Sequence, residues 1–363
     1  MEAVARKKAA ACSRQHHDVV RESPGLHLRH RRLARRGYAS VSLALLAIGS
    51  GSAGADTETA AASRESLEDA WWTGPLLASN ARVSRPGHGV IEPYFSDLIA
   101  DGRYDAAGNR RAAARSHSVE SQIYLGYGLC DGAAVGLLTR FAYVEPAGAP
   151  NSSSPGLGDL DLRLQVALTT FHEGRWVPDT AILLIETLPT GRYDRLERAS
   201  DGLGSGVVTT ALSWLSQDYL WLQNGRIIRI RLAVSYSLSG SATLNDASVY
   251  GTTLGFRGHV NPGGSVTADS AAEYSLTRQW VIATDLVYQH TDSTHVTGMY
   301  ETVRASFGSV DLQSGARERV TIAPALEFNW SQAAGVIIGA QVSLAGRNTP
   351  ASVTPMVALN LHY

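Results

Sequence analysis

The chain has 363 residues, 44% hydrophobic and 7% aromatic, with 32 basic and 33 acidic side chains and a net charge of −1 at pH 7. That balance lacks the basic footprint a nucleic-acid reader needs, so nucleic acid is excluded as a partner. No apolar run approaches the length of about 18 residues that a membrane-spanning helix requires, which excludes a helical membrane protein.

Residues 1–55 read as a secretory signal peptide with an extended basic n-region. Arg31, Arg32, Arg35 and Arg36 precede the apolar run 41–48, and small residues follow up to Ala53-Gly54-Ala55. A basic patch, a short apolar stretch and an A-x-A site predict cleavage after Ala55. Ordinary secretion fits the flanking residues better than twin-arginine export does. The leader removes ten basic and three acidic residues, both lysines among them, leaving 22 basic against 30 acidic residues and a charge of about −8. Cys12 leaves with it and Cys130 remains alone, so no internal disulfide, no cysteine-based metal site and no cofactor are expected.

Residues 56–89 open with a polar lead, continue through Trp71-Trp72 and end in a Pro- and Gly-marked stretch. Two readings stay open here: a periplasmic segment, or a plug folded into a barrel with the tryptophan pair at its mouth.

From residue 90 to residue 363 the expected fold is all-β, an antiparallel transmembrane β-barrel. Strands are expected at 90–99, 118–128, 133–144, 159–171, 178–188, 207–221, 226–238, 265–276, 280–289, 319–330, 336–345 and 351–363. Twelve is an even number, as single-chain bacterial barrels require. The fourth is the clearest. Leu160, Leu162, Leu164, Val166 and Leu168 alternate with Asp159, Asp161, Arg163, Gln165 and Ala167, one oily face against one polar face. Ile228 to Tyr236, Val320 to Trp330 and Val353 to Tyr363 repeat the pattern.

Loop lengths separate by parity. Turns near Cys130-Asp131-Gly132, at 172–175, at Gln223-Asn224-Gly225, at 277–279 and at 331–335 are short, whereas 101–117, 145–158, 189–206, 239–264 and 290–318 are long and polar. Short periplasmic turns and long outer loops are the outer-membrane rule, and a soluble sandwich has no reason to obey it. Trp176, Trp280 and Trp330 sit beside short turns and Tyr363 joins them, as an inner aromatic girdle does. A last strand alternating apolar residues and closing on Tyr363 has the form of the signal that the barrel-assembly machinery reads, so that machinery and outer-membrane lipid are expected partners.

Pro155-Gly156-Leu157-Gly158-Asp159-Leu160 entering one strand, Leu188-Pro189-Thr190-Gly191-Arg192 leaving another and the strand end Tyr124-Leu125-Gly126-Tyr127-Gly128-Leu129 resemble the MetA-pathway of phenol degradation family over roughly residues 90–363. The resemblance implies an outer-membrane barrel of transporter type, sometimes associated with aromatic degradation. It supplies no functional residues.

With the oily faces outward, the polar faces line a lumen. Glu120, Asp159, Asp161, Arg163, Glu186, Arg229, Arg231, Asp269, Glu273, Asp285, Arg319 and Glu327 are the lumen candidates. They are read either as a pore constriction or as an ion-pair network filling the interior. The expected function is a channel or transporter for small solutes, aromatic or hydrophobic compounds among them, in the bacterial outer membrane and without enzymatic activity. A lipid-acting barrel enzyme using Ser293 and His295, with His290 nearby, is the alternative, although no G-x-S-x-G elbow occurs. A structural or adhesion barrel is the third reading.

Overall fold

The computed structural model describes residues 64–301 and 307–363; the expected leader lies outside the described residues. In chain order the strands are β1 (Gly89–Tyr104), β2 (Arg110–Cys130), β3 (Ala133–Glu145), β4 (Gly156–Leu157), β5 (Leu160–Thr169) and β6 (Asp179–Leu188). They continue with β7 (Thr209–Trp221), β8 (Ile227–Ser239), β9 (Ala242–Asn245), β10 (Phe256–Asn261), β11 (Ser265–Ser275) and β12 (Trp280–Thr291). The last are β13 (His295–Glu301), β14 (Phe307–Gln313), β15 (Arg317–Ser331), β16 (Ala334–Arg347) and β17 (Thr349–His362). A single 3-10 turn, Ala199–Asp201, interrupts a long loop.

Twelve of these strands (β1, β2, β3, β5, β6, β7, β8, β11, β12, β15, β16 and β17) pair antiparallel in that order, and β17 returns to β1. Closure leaves the barrel without a free edge, the condition for burying a sheet in lipid. It is tight at the seam. Gly89 and Tyr363 exchange backbone hydrogen bonds of 3.0 and 3.1 Å, and a Cβ on Gly89 would collide with the Tyr363 ring. The short turns include Asp131-Gly132 and Asn224-Gly225, whose glycines adopt φ of +82° and +78° as tight hairpins require.

The pleat sorts the side chains as the alternation predicts. On β5, Leu162, Leu164, Val166 and Leu168 are exposed, Leu164 at 40%, whereas Asp161 is 3% exposed. Phe95, Leu212, Val234, Ile282, Leu326, Ile338 and Leu359 extend the exposed apolar set around the wall. Monomers in water do not leave so continuous an apolar belt uncovered, but lipid solvates it. The fold is an outer-membrane-type transmembrane barrel. At the end that carries the short turns, Trp280 and Phe328 rings lie 4.7 Å apart and Phe328 and Trp330 5.7 Å, beside the exposed Tyr363.

Three expected loops are structured. The expected loop 101–117 is instead the top of the β1–β2 hairpin, which runs up to a turn where Asp105 accepts the amides of Ala107 and Asn109 at 3.0 and 2.9 Å. The expected loops 239–264 and 290–318 hold β9, β10, β13 and β14, which form a second sheet in the order β14-β13-β10-β9. Phe256, Val260, Leu244 and Val296 on that sheet bury against Val207, Tyr193 and Tyr250 from other loops. Turn-forming residues in both segments concealed strands whose apolar partners lie far away in sequence.

Candidate functional site: the barrel lumen

Residues 64–88 enter and leave the barrel interior from the short-turn end. At that rim Arg64 pairs with Glu173 at 2.5 Å, Glu65 accepts from Arg226 at 3.1 Å and from Ser275 at 2.8 Å, and the Trp221 indole donates to the Glu65 carbonyl at 2.8 Å. Arg278 stacks over Trp71 at 4.7 Å. The segment then crosses the interior and returns past Gly87, whose amide bonds the Gly128 carbonyl at 3.0 Å, to start β1.

From Ala70 to Ala81 the segment carries no ionisable side chain. Inside a barrel whose wall strands pair with one another, its amides have no strand partner. A buried amide without an acceptor costs about 1–3 kcal/mol, so acceptors must come from the wall. Two carboxylates supply them. Glu327 on β15 accepts from Thr73 and Gly74 at 2.7 and 3.2 Å, and Asp285 on β12 accepts from Leu76 and Ala78 at 3.1 and 2.9 Å. Arg231 on β8 donates to the Ala78 carbonyl at 2.9 Å. Leu76 fits against Ile337 among Ala283, Ala323 and Ala325, whose small side chains leave it room.

Five candidates converge here: Arg229, Arg231, Glu273, Asp285 and Glu327. Arg229 sits directly across from Glu273 and forks onto both of its oxygens, with Nε to Oε2 at 2.6 Å; Arg231 Nε reaches Glu273 at 3.3 Å. Trp72 lies 4.6 Å from the Arg229 guanidinium, a cation–π contact contributed by the segment. Asp269 stands further along β11 and is half-buried, with no hydrogen bond at Oδ1.

A second group gathers Asp161 and Arg163. Asp161 accepts from Arg140 at 2.8 Å and from Thr187 at 2.8 Å, while Arg163 is 3.8 Å from it and 5.3 Å from the Tyr124 ring. Glu120 and Arg319 stand apart from both groups, accepting from Ser118 at 3.2 Å and donating to Gln289 at 3.3 Å respectively. Between the segment and the wall formed by β1, β2 and β17 a cavity of about 490 Å³ remains, lined by Glu120, Arg163, Arg319, Tyr94, Tyr124 and Met356 among others.

Two candidates lie elsewhere. Asp159 serves the outer loops, accepting from the Gly191 amide at 3.0 Å and from the Ser205 amide and hydroxyl at 2.7 and 2.6 Å. Glu186 must be corrected. Asp179, Ala181 and Leu183 are the buried face of β6, so Glu186 shares the lipid-facing side with Ile182 and Leu184, where Thr210 donates to it at 2.7 Å. Because β6 is apolar on both faces, its alternation has no readable phase; Leu183 and Ala181 find their apolar partner in Ala81 of the inserted segment.

Glu92, Tyr94 and Asn360 were missed. Glu92 accepts from Asn360 at 2.5 Å and from the Tyr94 hydroxyl at 3.1 Å, on a face that alternation along β1 and β17 predicts to be inward. Asp179, which holds Arg82 of the segment at 2.8 Å, had no sequence signal at all.

The outer loops are tied by their own polar contacts. Burial, with the charge of Asp159 second, pushes the Tyr250 phenol up to about 12, and its hydroxyl donates to the Ser205 carbonyl at 2.6 Å. The Ser153 amide at 2.7 Å holds the Asp201 carboxyl below the usual range. His295 Nε2 is engaged by Asp311 at 2.6 Å and His290 Nε2 by Asp292 at 3.2 Å; no hydrogen bond joins Ser293 to either histidine among the described residues. No cluster of three metal-ligating side chains occurs among them.

No family model matches the chain, and no curated protein matches it. Among solved structures it is similar to the COG4313 outer membrane channel from Pseudomonas putida F1, at 15% identity over 79% of this chain and 100% of that chain, with a TM-score of 0.58. The two share a fold. The beta domain of the Bordetella autotransporter BrkA aligns at 10% identity over 77% of this chain and 100% of its own, TM-score 0.39. The Pseudomonas putida toluene transporter TodX aligns at 13% identity over 76% and 90%, TM-score 0.35.

Proposed function

We propose that the protein is a passive outer-membrane channel for small solutes, with residues 64–88 as a resident plug that narrows the lumen to a side passage. The observation that carries this reading is the cavity beside the segment. It is enclosed by a closed barrel and lined from Val90 and His362 near the short-turn rim to Leu98 and Arg319 toward the outer loops. A fold shared with an outer membrane channel supports it. Arg163, Arg319, Glu92 and Glu120 line the wall without pairing with one another, and Tyr94, Tyr124 and Met356 add apolar surface. Small aromatic compounds bearing polar substituents suit that mixture, which agrees with the pathway association of the MetA-pathway of phenol degradation family that the Gly-rich motifs resemble. Strand β17, alternating to an exposed Tyr363, is the segment offered to the barrel-assembly machinery.

Planar-bilayer conductance of the purified chain, with and without residues 64–82, tests the reading. The expected result is a small conductance that increases on deletion. Equal conductance overturns the plug, and no conductance from either form overturns the channel in favour of a structural barrel. A phospholipase assay on the same preparation tests the enzyme alternative, for which background-level hydrolysis is expected.

A further inference from the structure

The plug's amides are taken up by one wall, whereas its carbonyls are bonded elsewhere, those of Asn80 and Ala81 by Gln165 on β5 at 2.9 and 3.2 Å and that of Thr73 by Asn360 on β17 at 3.3 Å. Four backbone amides, those of Thr73, Gly74, Leu76 and Ala78, rest on two fully buried carboxylates of neighbouring strands, Glu327 and Asp285. On its other side lies the cavity. The charge around the fastening is unequal. The segment contributes none between Ala70 and Ala81, β8 contributes Arg229 and Arg231, and β11, β12 and β15 contribute Glu273, Asp285 and Glu327, with Asp269 beside them. Arg229 and Arg231 both face Glu273, so Asp285 and the Oε2 of Glu327 take their hydrogen bonds from the plug's amides, while the buried Oε1 of Glu327 has no hydrogen-bond partner among the described residues. Further out, Arg82 is held by Asp179, Arg319 bonds Gln289, and Glu92 and His362 lie across the cavity.

We propose that Glu327 and Asp285 form an acid-releasable latch that holds the plug against β12 and β15, and that protonation of this pair frees the plug and widens the passage. The inference rests on the channel reading. A carboxylate presents acceptors only; adding one proton from water converts one oxygen to a donor that confronts an amide N–H and removes the charge that strengthened the bond. Nothing in residues 70–81 replaces that attraction, because the segment has no side-chain charge and no strand pairing to the wall. The remaining hold is Leu76 among alanines, Trp72 on Arg229, the Thr73 hydroxyl on Asn329, and Arg231 and Gln165 donating to the carbonyls of Ala78, Asn80 and Ala81; none of these restores an acceptor to the four amides, so the plug loosens on that wall.

The test uses the full chain in lipid. The first arm compares labelling of Leu77→Cys, a cavity-lining plug position, in a Cys130→Ser background at one neutral pH, with and without Asp285→Asn and Glu327→Gln. Labelling is expected to be faster by on the order of tenfold with the latch removed, the equilibrium equivalent of a lost charge-assisted bond. Equal rates overturn the latch whether or not the barrel conducts. The second arm measures conductance at neutral pH and at about pH 3, below the ordinary carboxylate values of about 3.9 and 4.3. A rise in acid is expected, reproduced at neutral pH by Asp285→Asn with Glu327→Gln. It is abolished by a cross-link between Leu76→Cys and Ile337→Cys, whose side chains pack in one buried cluster. A cross-linked barrel that responds to acid like the uncross-linked one overturns the latch, and a barrel silent even without residues 64–82 overturns the channel instead. Where the double variant fails to assemble, Asp285→Asn alone is used, since it leaves the Arg229–Glu273 fork in place.

Discussion

Placing one arginine on each face of β5 tests the inside-out assignment most directly. Leu164 is the fifth of ten residues in β5, opposite Val135 on β3 and Leu184 on β6, in the middle of the exposed belt. Leu164→Arg buries a guanidinium in hydrocarbon with no carboxylate directly across from it, the nearest outward one, Glu186, lying opposite Leu162, and at the bilayer midplane this costs about 2–4 kcal/mol. Little packing is lost, because the leucine is already 40% exposed. Gln165, one residue on, faces inward and donates to the carbonyls of Asn80 and Ala81 at 2.9 and 3.2 Å. Gln165→Arg keeps donors at that place beside a polar cavity, so its cost is limited to about 1 kcal/mol, the worth of one disturbed hydrogen bond. Guanidinium titration of the protein folded in phospholipid vesicles, followed by tryptophan fluorescence, measures both. A larger loss at Gln165 than at Leu164 refutes the outward assignment of the oily face.

Three further outcomes follow from individual contacts. Glu273→Ala strands Arg229 and Arg231 in the interior, and the same titration is expected to show a loss of about 3–5 kcal/mol, as removal of one member of a buried ion pair does; a loss near zero refutes the role of Glu273 as their counter-ion. Glu186→Leu is expected to leave stability unchanged or raise it, because it extends the apolar belt, and to leave conductance unchanged. A large conductance change returns Glu186 to the lumen. Asp201 has a folded-state value below its unfolded one, so its contribution to the outer loops is present above the unfolded range near 4 and is lost as pH falls through the lower folded value. Asp201→Asn is therefore expected to speed proteolysis of the 145–158 and 189–206 loops at neutral pH, with the difference from wild type disappearing in acid.

Strands whose two faces differ strongly were legible. β5, β8 and β15 place Leu, Ile and Val on one side and Asp, Arg and Glu on the other, and only one phase is compatible with lipid outside. β6 was not, since Ala181-Ile182-Leu183-Leu184-Ile185 is apolar throughout and Ala81, from a distant segment, satisfies its inner face. The hairpin above Ala100 was read as a loop from its Gly, Asp and Asn residues, yet pairing of Gly102 to Tyr104 with Thr349 to Ala351 keeps it extended. The outer sheet escaped for the same reason: Phe256 and Val296 acquire their burial from Tyr193 and Tyr250.

What the sequence by itself determined is the two-faced ribbon, clearest in β5, β8 and β15, and a run of twelve strands with short and long connections alternating. Side-chain alternation has a period of two and turn chemistry acts over a few residues, so both are written locally. Only the tertiary structure decided what fills the barrel. A stretch without charge has no sequence signal for the carboxylates that accept its amides, because Glu327 and Asp285 lie more than two hundred residues away and meet Thr73 and Leu76 only after closure. The interior polar set was readable as a list of residues; its division into the Glu273–Arg229 fork, the acceptors of the 70–81 amides and the Asp161 group depends on how neighbouring strands stagger when the sheet closes.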